Sequence, residues 1–202
     1  MNEETSKEDR LTLELLDVIG KQSDLSQRHL ARHLGVALGL ANSYLKRCVR
    51  KGFVKIRQAP ANRYLYYLTP KGFAEKSRLT GDYLRYSFAF YKRASDSCAK
   101  VFDNCVDQGW RKVFFCGISD LAEIAALRAT EMQIEVVGIY DLTAKLKQFI
   151  NLPVYPVINA APSYDAVVLT AIENAPAVYR NLITQVEAQR ILIPDILGIE
   201  RP

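Results

Sequence analysis

Residues 25–50 carry the pattern of two short helices joined by a tight turn. The first helix follows Ser26, an N-cap candidate, and its buried side is predicted to contain Leu30, Ala31 and Leu34. Gly35 then supplies the backbone freedom that a turn needs. The second helix is predicted over about Ala37 to Arg50, where apolar side chains recur at helical spacing. Two helices joined this closely indicate a helix-turn-helix.

Two strand-like runs follow the second helix. Phe53–Arg57 and Tyr64–Leu68 are rich in β-branched and aromatic residues, and Pro60 and Asn62 between them favour a turn. A β-hairpin directly after a helix-turn-helix is typical of a winged helix. We therefore expect the N-terminal part of the chain to fold as a winged helix-turn-helix.

The same part of the chain is strongly basic. Between Leu25 and Ala74 it contains ten Lys or Arg residues and no Asp or Glu. A solvated protein surface usually mixes both signs, whereas a row of cations gains affinity for duplex DNA because condensed counterions are released. Double-stranded DNA is therefore the predicted partner. The alternative is a basic surface that merely keeps the protein in solution.

The predicted DNA contacts divide by chemistry. Amide, hydroxyl and ammonium groups suit base edges in the major groove. We expect Asn42, Ser43 and Lys46 to supply them. Guanidinium groups are expected to bind phosphates or, at the tip of the wing, to enter a minor groove. The arginines concerned are Arg28, Arg47, Arg50, Arg57 and Arg63.

Three segments carry a family resemblance, namely residues 34–46, 51–56 and 67–72, the last with the run Leu-Thr-Pro-Lys-Gly. They resemble MarR-type winged-helix regulators, and most closely the subgroup associated with exopolysaccharide gene clusters. The resemblance covers about residues 10–95 and implies a transcriptional regulator of polysaccharide biosynthesis genes. Two positions depart from the family pattern: Ala37, where a Ser or Thr cap is common, and Leu40, where a polar DNA-facing residue is common.

Charge separates the chain into two parts. Lys and Arg outnumber Asp and Glu by 19 to 12 up to Trp110, whereas they are outnumbered 8 to 10 from Arg111 onward. This asymmetry indicates a nucleic-acid-binding part and a part with another role. We expect a winged helix-turn-helix domain at 1–80, a linking and dimerisation helix at 81–109, and a sensor domain at 110–202.

The sequence predicts a cytoplasmic protein. No stretch approaches the roughly 20 apolar residues of a membrane span, and the acidic start Met-Asn-Glu-Glu does not resemble a signal peptide. The cysteines form no CxxC pair, and the chain has only two histidines. Buried thiols and no metal site are therefore expected at Cys48, Cys98, Cys105 and Cys116.

A long helix is predicted from about Lys71 to Gln108, with an interruption at Gly81 and a cap at Asp82. After that break a heptad stripe consists of Leu84, Phe88, Tyr91, Ser95, Cys98, Phe102 and Cys105. The stripe predicts a homodimer, because a two-fold protein can place two winged helices on paired half-sites. In the alternative, the stripe packs on the chain's own C-terminal domain.

Strands alternate with helices after Arg111. Strands are predicted at 112–116, 134–140, 153–155, 166–170 and 190–193, and helices at 121–131, 144–149 and 176–188. Such alternation makes a doubly wound parallel sheet. The overall fold class is therefore α/β, with an N-terminal winged helix-turn-helix, a long linking helix and a C-terminal Rossmann-like doubly wound parallel sheet.

The turn after the first of these strands reads Gly-Ile-Ser-Asp-Leu-Ala over residues 117–122, and Asp141 follows the second strand. Residues 112–195 resemble the Rossmann-like N-terminal domain of sialic-acid-type sugar acyltransferases and related nucleotide-sugar and CoA-binding domains. The resemblance implies a small-molecule effector, with a nucleotide sugar as the candidate ligand. Its contacts are predicted from Gly117, Ile118, Ser119, Asp120, Asp141, Thr170 and Ala171.

The same turn argues against a dinucleotide. Ser119 and Ala122 replace glycines of the family pattern, and Asp120 places a negative charge near the helix N-terminus, unless it simply caps that helix. Two other functions stay open: a Rex-type redox regulator that responds to NAD(H), and a ligand-free DNA-binding scaffold protein. Catalytic residues are not predicted, because no His and no nucleophile–base pair is recognisable in the C-terminal half.

Overall fold

A computed structural model describes residues 3–60, 63–160 and 162–200, and it describes side chains from residue 7 onward except that of Arg63. The chain divides into two compact units, residues 1–87 and residues 88–202. The sequence predicted a separate linking segment at 81–109. The boundary between the two units falls within this segment, inside the long helix that begins at Pro70.

The N-terminal unit is the predicted winged helix-turn-helix. Its elements are α1 Glu3–Lys21, α2 Gln27–His33, α3 Leu38–Arg50, β1 Val54–Ala59, β2 Arg63–Leu68 and the first part of α4 Pro70–Asp107. Helix α1 was not predicted. It nevertheless supplies much of the core, through Leu11, Leu15, Leu16, Val18 and Ile19. Their helical spacing is the sequence signal by which it could have been found.

The helix-turn-helix forms as its sequence predicts. The Ser26 hydroxyl accepts a hydrogen bond from the backbone N–H of His29 at 3.1 Å and so caps α2. Gly35 adopts a φ of 62° in the turn, a conformation that costs a glycine little. Helix α3 then buries Ala41, Leu45 and Cys48 against α1 and α2, which leaves its other side to solvent.

The Thr-Pro-Lys-Gly part of the family motif fastens α4 to the start of the wing. The Thr69 hydroxyl donates to the carbonyl of Gly52 at 2.6 Å and accepts from the N–H of Gly72 at 3.0 Å. Pro70 begins the helix, where its missing N–H costs nothing. A Cβ on Gly72 would lie 2.0 Å from the carbonyl oxygen of Phe53. This motif is therefore explained by packing.

Helix α4 runs without a break from Pro70 to Asp107, so the predicted interruption at Gly81 and cap at Asp82 are wrong. A glycine inside a helix costs about 1 kcal/mol relative to alanine but keeps both backbone hydrogen bonds. Ion pairs at helical spacing flank the glycine, and one crosses it: Arg78 pairs with Asp82 across Gly81, while Arg78 also pairs with Glu75 and Arg85 with Asp82. They offset part of that cost.

The C-terminal unit is the predicted doubly wound sheet. It contains β3 Lys112–Cys116, α5 Asp120–Glu131, β4 Glu135–Tyr140, β5 Gln148–Phe149, β6 Leu152–Tyr155, β7 Ala166–Leu169, α6 Ala175–Leu182 and β8 Ile191–Leu192. The strand order is β5-β6-β4-β3-β7-β8, and every pairing is parallel except that of β5 with β6. The chain thus winds outward from β3 in both directions.

Alternate residues of β3 belong to different faces of the sheet. Val113 and Phe115 pack with α5 and the C-terminal part of α4, whereas Phe114 and Cys116 pack with α6. Both faces are covered, which explains why β3 is an unbroken apolar run. The unit therefore has three layers, with the sheet in the middle.

Two helix predictions in this unit need correction. No helix forms over residues 144–149, because the chain turns after Asp141 and then enters a hairpin between β5 and β6. Ile150 and Asn151 at that hairpin's tip both have positive φ, as a type I′ turn requires. The helix predicted to reach residue 188 ends at Leu182. Beyond it, some backbone hydrogen bonds span three residues instead of four, and the chain continues as consecutive turns.

The heptad stripe on α4 divides into two parts. Its last four residues, Ser95, Cys98, Phe102 and Cys105, are buried in the core of the C-terminal unit. Ser95 also accepts a hydrogen bond from Nε of Arg128 at 2.7 Å. The prediction of one continuous dimer seam is therefore wrong for these four positions, and the alternative, packing on the chain's own domain, is confirmed for them. Leu84, Phe88 and Tyr91 are exposed.

Candidate nucleic-acid interface and ligand cavity

The exposed face of α3 is cationic. Ser43, Lys46 and Arg50 point away from the buried residues of the helix and are exposed. In the part of the chain that the structure describes, neither Lys46 nor Arg50 pairs with a carboxylate. The predicted combination of a hydroxyl and free cations on one helix face is therefore present.

Asn42 lies at the edge of this face. It is partly buried, and its Oδ1 atom is shielded from solvent without a hydrogen-bond partner among the described residues. An amide oxygen in that position is costly. The amide oxygen of Asn42 could therefore contact a base edge only after the side chain rotated outward.

Arg47 has a partner that the sequence did not reveal. Its Nη1 atom lies 2.8 Å from a carboxylate oxygen of Glu8 on α1, and both side chains are partly exposed. This hydrogen bond raises the pKa of Arg47 and holds its guanidinium over α1. The two residues are 39 positions apart, so no local pattern could have predicted the pair.

The remaining predicted contacts lie on α2 and the wing. Arg28 is exposed in the first turn of α2, and Arg57 is exposed on β1. The backbone of Arg63 pairs with Ala59 across the hairpin, but its side chain lies outside the described residues, as do residues 61–62, which belong to the predicted turn. Positive charge thus extends from α2 and α3 to the wing.

A cavity of about 780 Å³ opens at the carboxyl ends of β3, β4 and β7. The strand order reverses between β3 and β7, which is where doubly wound sheets bind ligands. Of the predicted ligand residues, the cavity brings together Gly117, Ile118, Ser119, Asp120, Asp141 and Ala171. Thr170 does not line it: this residue is fully buried, and its hydroxyl donates to the carbonyl of Gly117.

Gly117 is required by packing within the sheet. Its φ is 106°, and a Cβ there would lie 2.5 Å from the Cα of Ala171. Both facts favour glycine whether or not a ligand binds. This glycine therefore does not by itself indicate a phosphate-binding turn.

Ser119 caps α5, so the alternative in which Asp120 is the cap is wrong. The Ser119 hydroxyl accepts from the N–H groups of Leu121 and Ala122, at 3.1 and 3.3 Å, and donates to the carbonyl of Thr170. Asp120 occupies the first turn instead. These helix N–H groups are already satisfied, which leaves fewer of them for a phosphate.

Asp141 braces two loops of the cavity. Its Oδ2 accepts from the N–H of Ile118, and its Oδ1 accepts from the N–H and hydroxyl of Thr143 and the N–H of Ala144, all at 2.8–3.0 Å. Burial raises the pKa of Asp141, but these hydrogen bonds outweigh burial and hold the pKa below its usual value. The brace therefore stabilises the fold above about pH 4 and is lost as the pH falls further.

The charge of the cavity lining is negative. Asp120, Asp141 and Glu173 line it, and no Lys or Arg does among the residues described. A ligand with several phosphates would therefore meet like charge, whereas hydroxyl or amine groups would find acceptors.

All four cysteines are buried, as predicted, and burial raises the pKa of Cys116 to about 12. Within the described ranges no group of His, Cys, Asp and Glu is arranged to hold a metal ion. Nor is any described helix long and apolar enough to cross a bilayer.

Solved structures show only distant similarity. A Mycobacterium tuberculosis MarR family protein in complex with p-aminosalicylic acid is 24% identical, with a TM-score of 0.32 over 35% of this chain and 55% of that one. Streptococcus pneumoniae FabT in complex with DNA is 22% identical, with a TM-score of 0.33 over 57% and 65%. Human N-acetylserotonin methyltransferase in complex with SAM is 12% identical, with a TM-score of 0.35 over 82% and 66%.

This chain spans less than two thirds of the length of each of these proteins. Similarity at this level does not assign a function to either unit. No curated protein is significantly similar in sequence.

A family model described as winged helix-turn-helix DNA-binding matches residues 8–55. This match covers most of α1, all of α2 and α3, and the start of β1, and so includes the helix that carries the cationic face. The N-terminal unit therefore has the winged helix-turn-helix fold, and residues 8–55 within it match a winged helix-turn-helix DNA-binding family model.

Proposed function

We propose that this protein is a sequence-specific transcriptional regulator of the MarR type. It acts in the cytoplasm as a homodimer, and its targets are polysaccharide biosynthesis genes, as the family resemblance implies. The observation that carries the proposal is the exposed face of α3, where Ser43, Lys46 and Arg50 stand on a winged helix-turn-helix. The C-terminal unit senses a small molecule in its cavity.

Contact with DNA divides between the two exposed elements of the domain. Helix α3 enters the major groove, where Ser43 and Lys46 reach base edges and Arg50 reaches a phosphate. The wing places Arg57 beside the next stretch of backbone or minor groove. Arg47 contributes less, because Glu8 already binds its guanidinium.

Replacing Arg50 with Ala should weaken binding to every duplex. Each phosphate contact that is lost should reduce the slope of log K against log salt by about 0.9. Arg47→Ala should reduce the slope by less, since Arg47 is held by Glu8. Fluorescence anisotropy with labelled duplexes between low and moderate salt measures both effects.

The matched control is Lys145→Ala, which removes one exposed cation from the C-terminal unit. It lowers the net charge equally and should leave the slope unchanged. An Arg50→Ala slope equal to that of the wild type would remove the exposed face of α3 from the phosphate contacts.

The dimer that we propose forms through α4. Six large side chains are exposed within residues 83–91: Tyr83, Leu84, Tyr86, Phe88, Phe90 and Tyr91. A concentration of large exposed apolar side chains in one helical segment favours an interaction site. A second copy is the occupant that fits, because two-fold pairing of a helix-turn-helix doubles the number of bases that are read.

The effector is a small molecule with hydroxyl groups, and a nucleotide sugar remains the candidate that the sequence suggests. The carboxylates of the lining determine how it would bind. We expect the sugar or nucleoside hydroxyls to enter the cavity and the diphosphate to stay away from Asp120 and Glu173. The effector changes operator affinity only if it binds DNA-competent and DNA-incompetent dimers differently.

A thermal-shift screen tests this sensor role. The panel contains UDP-, GDP- and CMP-sugars, the matching phosphate-free nucleosides, and NADH. Binding to the native state alone raises Tm, by an amount equivalent to about 2.7 kcal/mol at a hundredfold excess over Kd. We expect phosphate-free compounds to bind at least as well as their diphosphates. Glu173→Gln should improve binding of the diphosphates selectively, whereas Glu187→Gln, which is exposed outside the cavity lining, should not.

Two other outcomes of the thermal-shift screen would favour a different function. A response to NADH alone would favour a Rex-type redox regulator, and a panel without any response would favour a ligand-free scaffold. The first result would contradict the nucleotide-sugar effector, the second would contradict the sensor proposal, and both leave DNA binding standing. Asp141→Ala is a poor test, because it removes four hydrogen bonds of the loop brace together with any ligand contact.

A further inference from the structure

The N-terminal end of α3 has no side chain that can form a hydrogen bond. Residues 37–41 read Ala-Leu-Gly-Leu-Ala, and polar side chains begin only at Asn42 and Ser43. In helix-turn-helix proteins the N-terminal residues of the second helix contact base edges. Side-chain hydrogen bonding therefore cannot account for sequence readout at this end of the helix.

Leu40 is the apolar group on the cationic face at this end. Its side chain is 44% exposed, and it lies one turn before Ser43 and two turns before Arg47. Gly39 beside it has open space where a Cβ would stand, so another surface can approach closely. Covering such a hydrated leucine with DNA lowers the free energy of the complex, because apolar surface is removed from water.

Leu38 differs from Leu40 although both are leucines with similar exposure, 41% against 44%. Its side chain lines a hollow beside α2 and the wing, together with Tyr64 and Tyr66. On the helix it lies next to the buried side, near Ala41 and Leu45. Leu40 alone of the two therefore shares a face with the cations of α3.

We propose that Leu40 reads the 5-methyl group of thymine in the major groove. That methyl is the apolar feature that a base edge presents there, and apolar side chains recognise it by contact. Arg50 and the wing supply affinity for the DNA backbone, and Leu40 adds preference for thymine at the position it covers. The inference rests on the proposed DNA-binding function and makes Leu40 one of its specificity-determining residues.

The expected loss of affinity follows from the size of the methyl group that is removed. Burying one methyl group strengthens binding roughly fourfold. Deoxyuridine differs from thymidine only by this methyl, so replacing one for the other in the duplex removes the contact and changes no hydrogen bond. The same loss should follow when the protein loses the leucine side chain.

The experiment uses the full chain and a duplex selected by it from a random library. Each thymine is replaced singly by deoxyuridine, and affinities are measured for the wild type, Leu40→Ala and the matched control Leu38→Ala. One or two replacements should weaken the wild type about fourfold. Leu40→Ala should bind the thymine duplex more weakly and show no further loss with deoxyuridine, whereas Leu38→Ala should keep the wild-type preference. Circular dichroism checks folding, and Leu40→Gln serves as a second variant.

Two results would overturn the inference while DNA binding stands. In one, no deoxyuridine replacement weakens the wild type, a measurement that needs no variant. In the other, Leu40→Ala and Leu40→Gln keep the full thymine preference. A chain that selects no sequence from the library would overturn the proposed function itself, and this inference with it.

Discussion

Gly72→Ala is expected to destabilise the N-terminal unit by about 1–3 kcal/mol, and by more if the backbone cannot move. The new Cβ would stand 2.0 Å from the carbonyl oxygen and 2.9 Å from the carbonyl carbon of Phe53. These are backbone atoms, so no side-chain rotation relieves the clash. The start of α4 must instead move away from the wing, which strains the hydrogen bonds of Thr69 to Gly52 and Phe53. Urea unfolding followed by circular dichroism measures the loss.

Gly81→Ala is the matched control, since it is the same substitution in the same helix. Apart from its chain neighbours and the adjacent backbone of its own helix, no described atom lies within 4 Å of the Cβ position at Gly81. Alanine there should stabilise the helix by about 0.5–1 kcal/mol. Opposite signs for the two variants are the expected result. If both variants shifted the transition in the same direction, the Thr-Pro-Lys-Gly motif would have some role other than packing.

Phe88→Glu is expected to dissociate the proposed dimer. Phe88 is 68% exposed in the single chain, so the change should alter the stability of a monomer by no more than about 0.5 kcal/mol. In a dimer through residues 83–91, it would place two carboxylates against each other without partners, at a cost of several kcal/mol. The dissociation constant should then rise by about a hundredfold or more, because each 1.4 kcal/mol corresponds to roughly a factor of ten. Sedimentation equilibrium measures it.

Phe73→Glu provides the control for this experiment. Phe73 is 55% exposed in the first turn of α4, outside residues 83–91, and its replacement should leave the dimer intact. A wild-type chain that sediments as a monomer would contradict the dimer proposal. An intact Phe88→Glu dimer would move the interface away from this part of α4.

The regular elements near the proposed DNA contacts and the cavity could be predicted from sequence because they obey local periodicity. Helices α2 and α3 follow from apolar spacing, a Ser cap and a glycine turn, and the sheet follows from short apolar runs that alternate with helices. The cavity followed from topology, because the carboxyl ends of adjacent parallel strands must meet at one edge. Gly117, Asp141 and Ala171 are accordingly close together.

What could not be predicted depends on partners that are distant in sequence. A stripe with heptad spacing is the same whether a second chain or the protein's own sheet covers it, and for Phe102 and Cys105 the sheet does. The pair of Arg47 with Glu8 joins two helices 39 residues apart. A helix was predicted over residues 144–149, but hydrogen bonds to the side chain of Asp141 turn the chain there instead.

The roles of individual cavity residues also required the structure. Thr170 has the right position in sequence for a ligand contact, yet its hydroxyl points to the carbonyl of Gly117. Ser119 looked like an obstacle in a phosphate-binding turn, and it is the cap of α5. Residue type and spacing indicated where a ligand would bind but not which side chains are already engaged.

Selection from a library of random duplexes by the full chain, at near-physiological salt, tests sequence-specific recognition itself. A dimer of winged helices should enrich a motif with two-fold symmetry, whose half-sites are separated by about one helical turn, roughly 10 base pairs. The enriched duplex should bind at least a thousandfold more tightly than an unselected one, the low end of the usual range for specific sites. If no motif were enriched and all duplexes bound with equal affinity and equal salt dependence, the chain would be a non-specific DNA-binding protein and the regulator proposed above would be wrong.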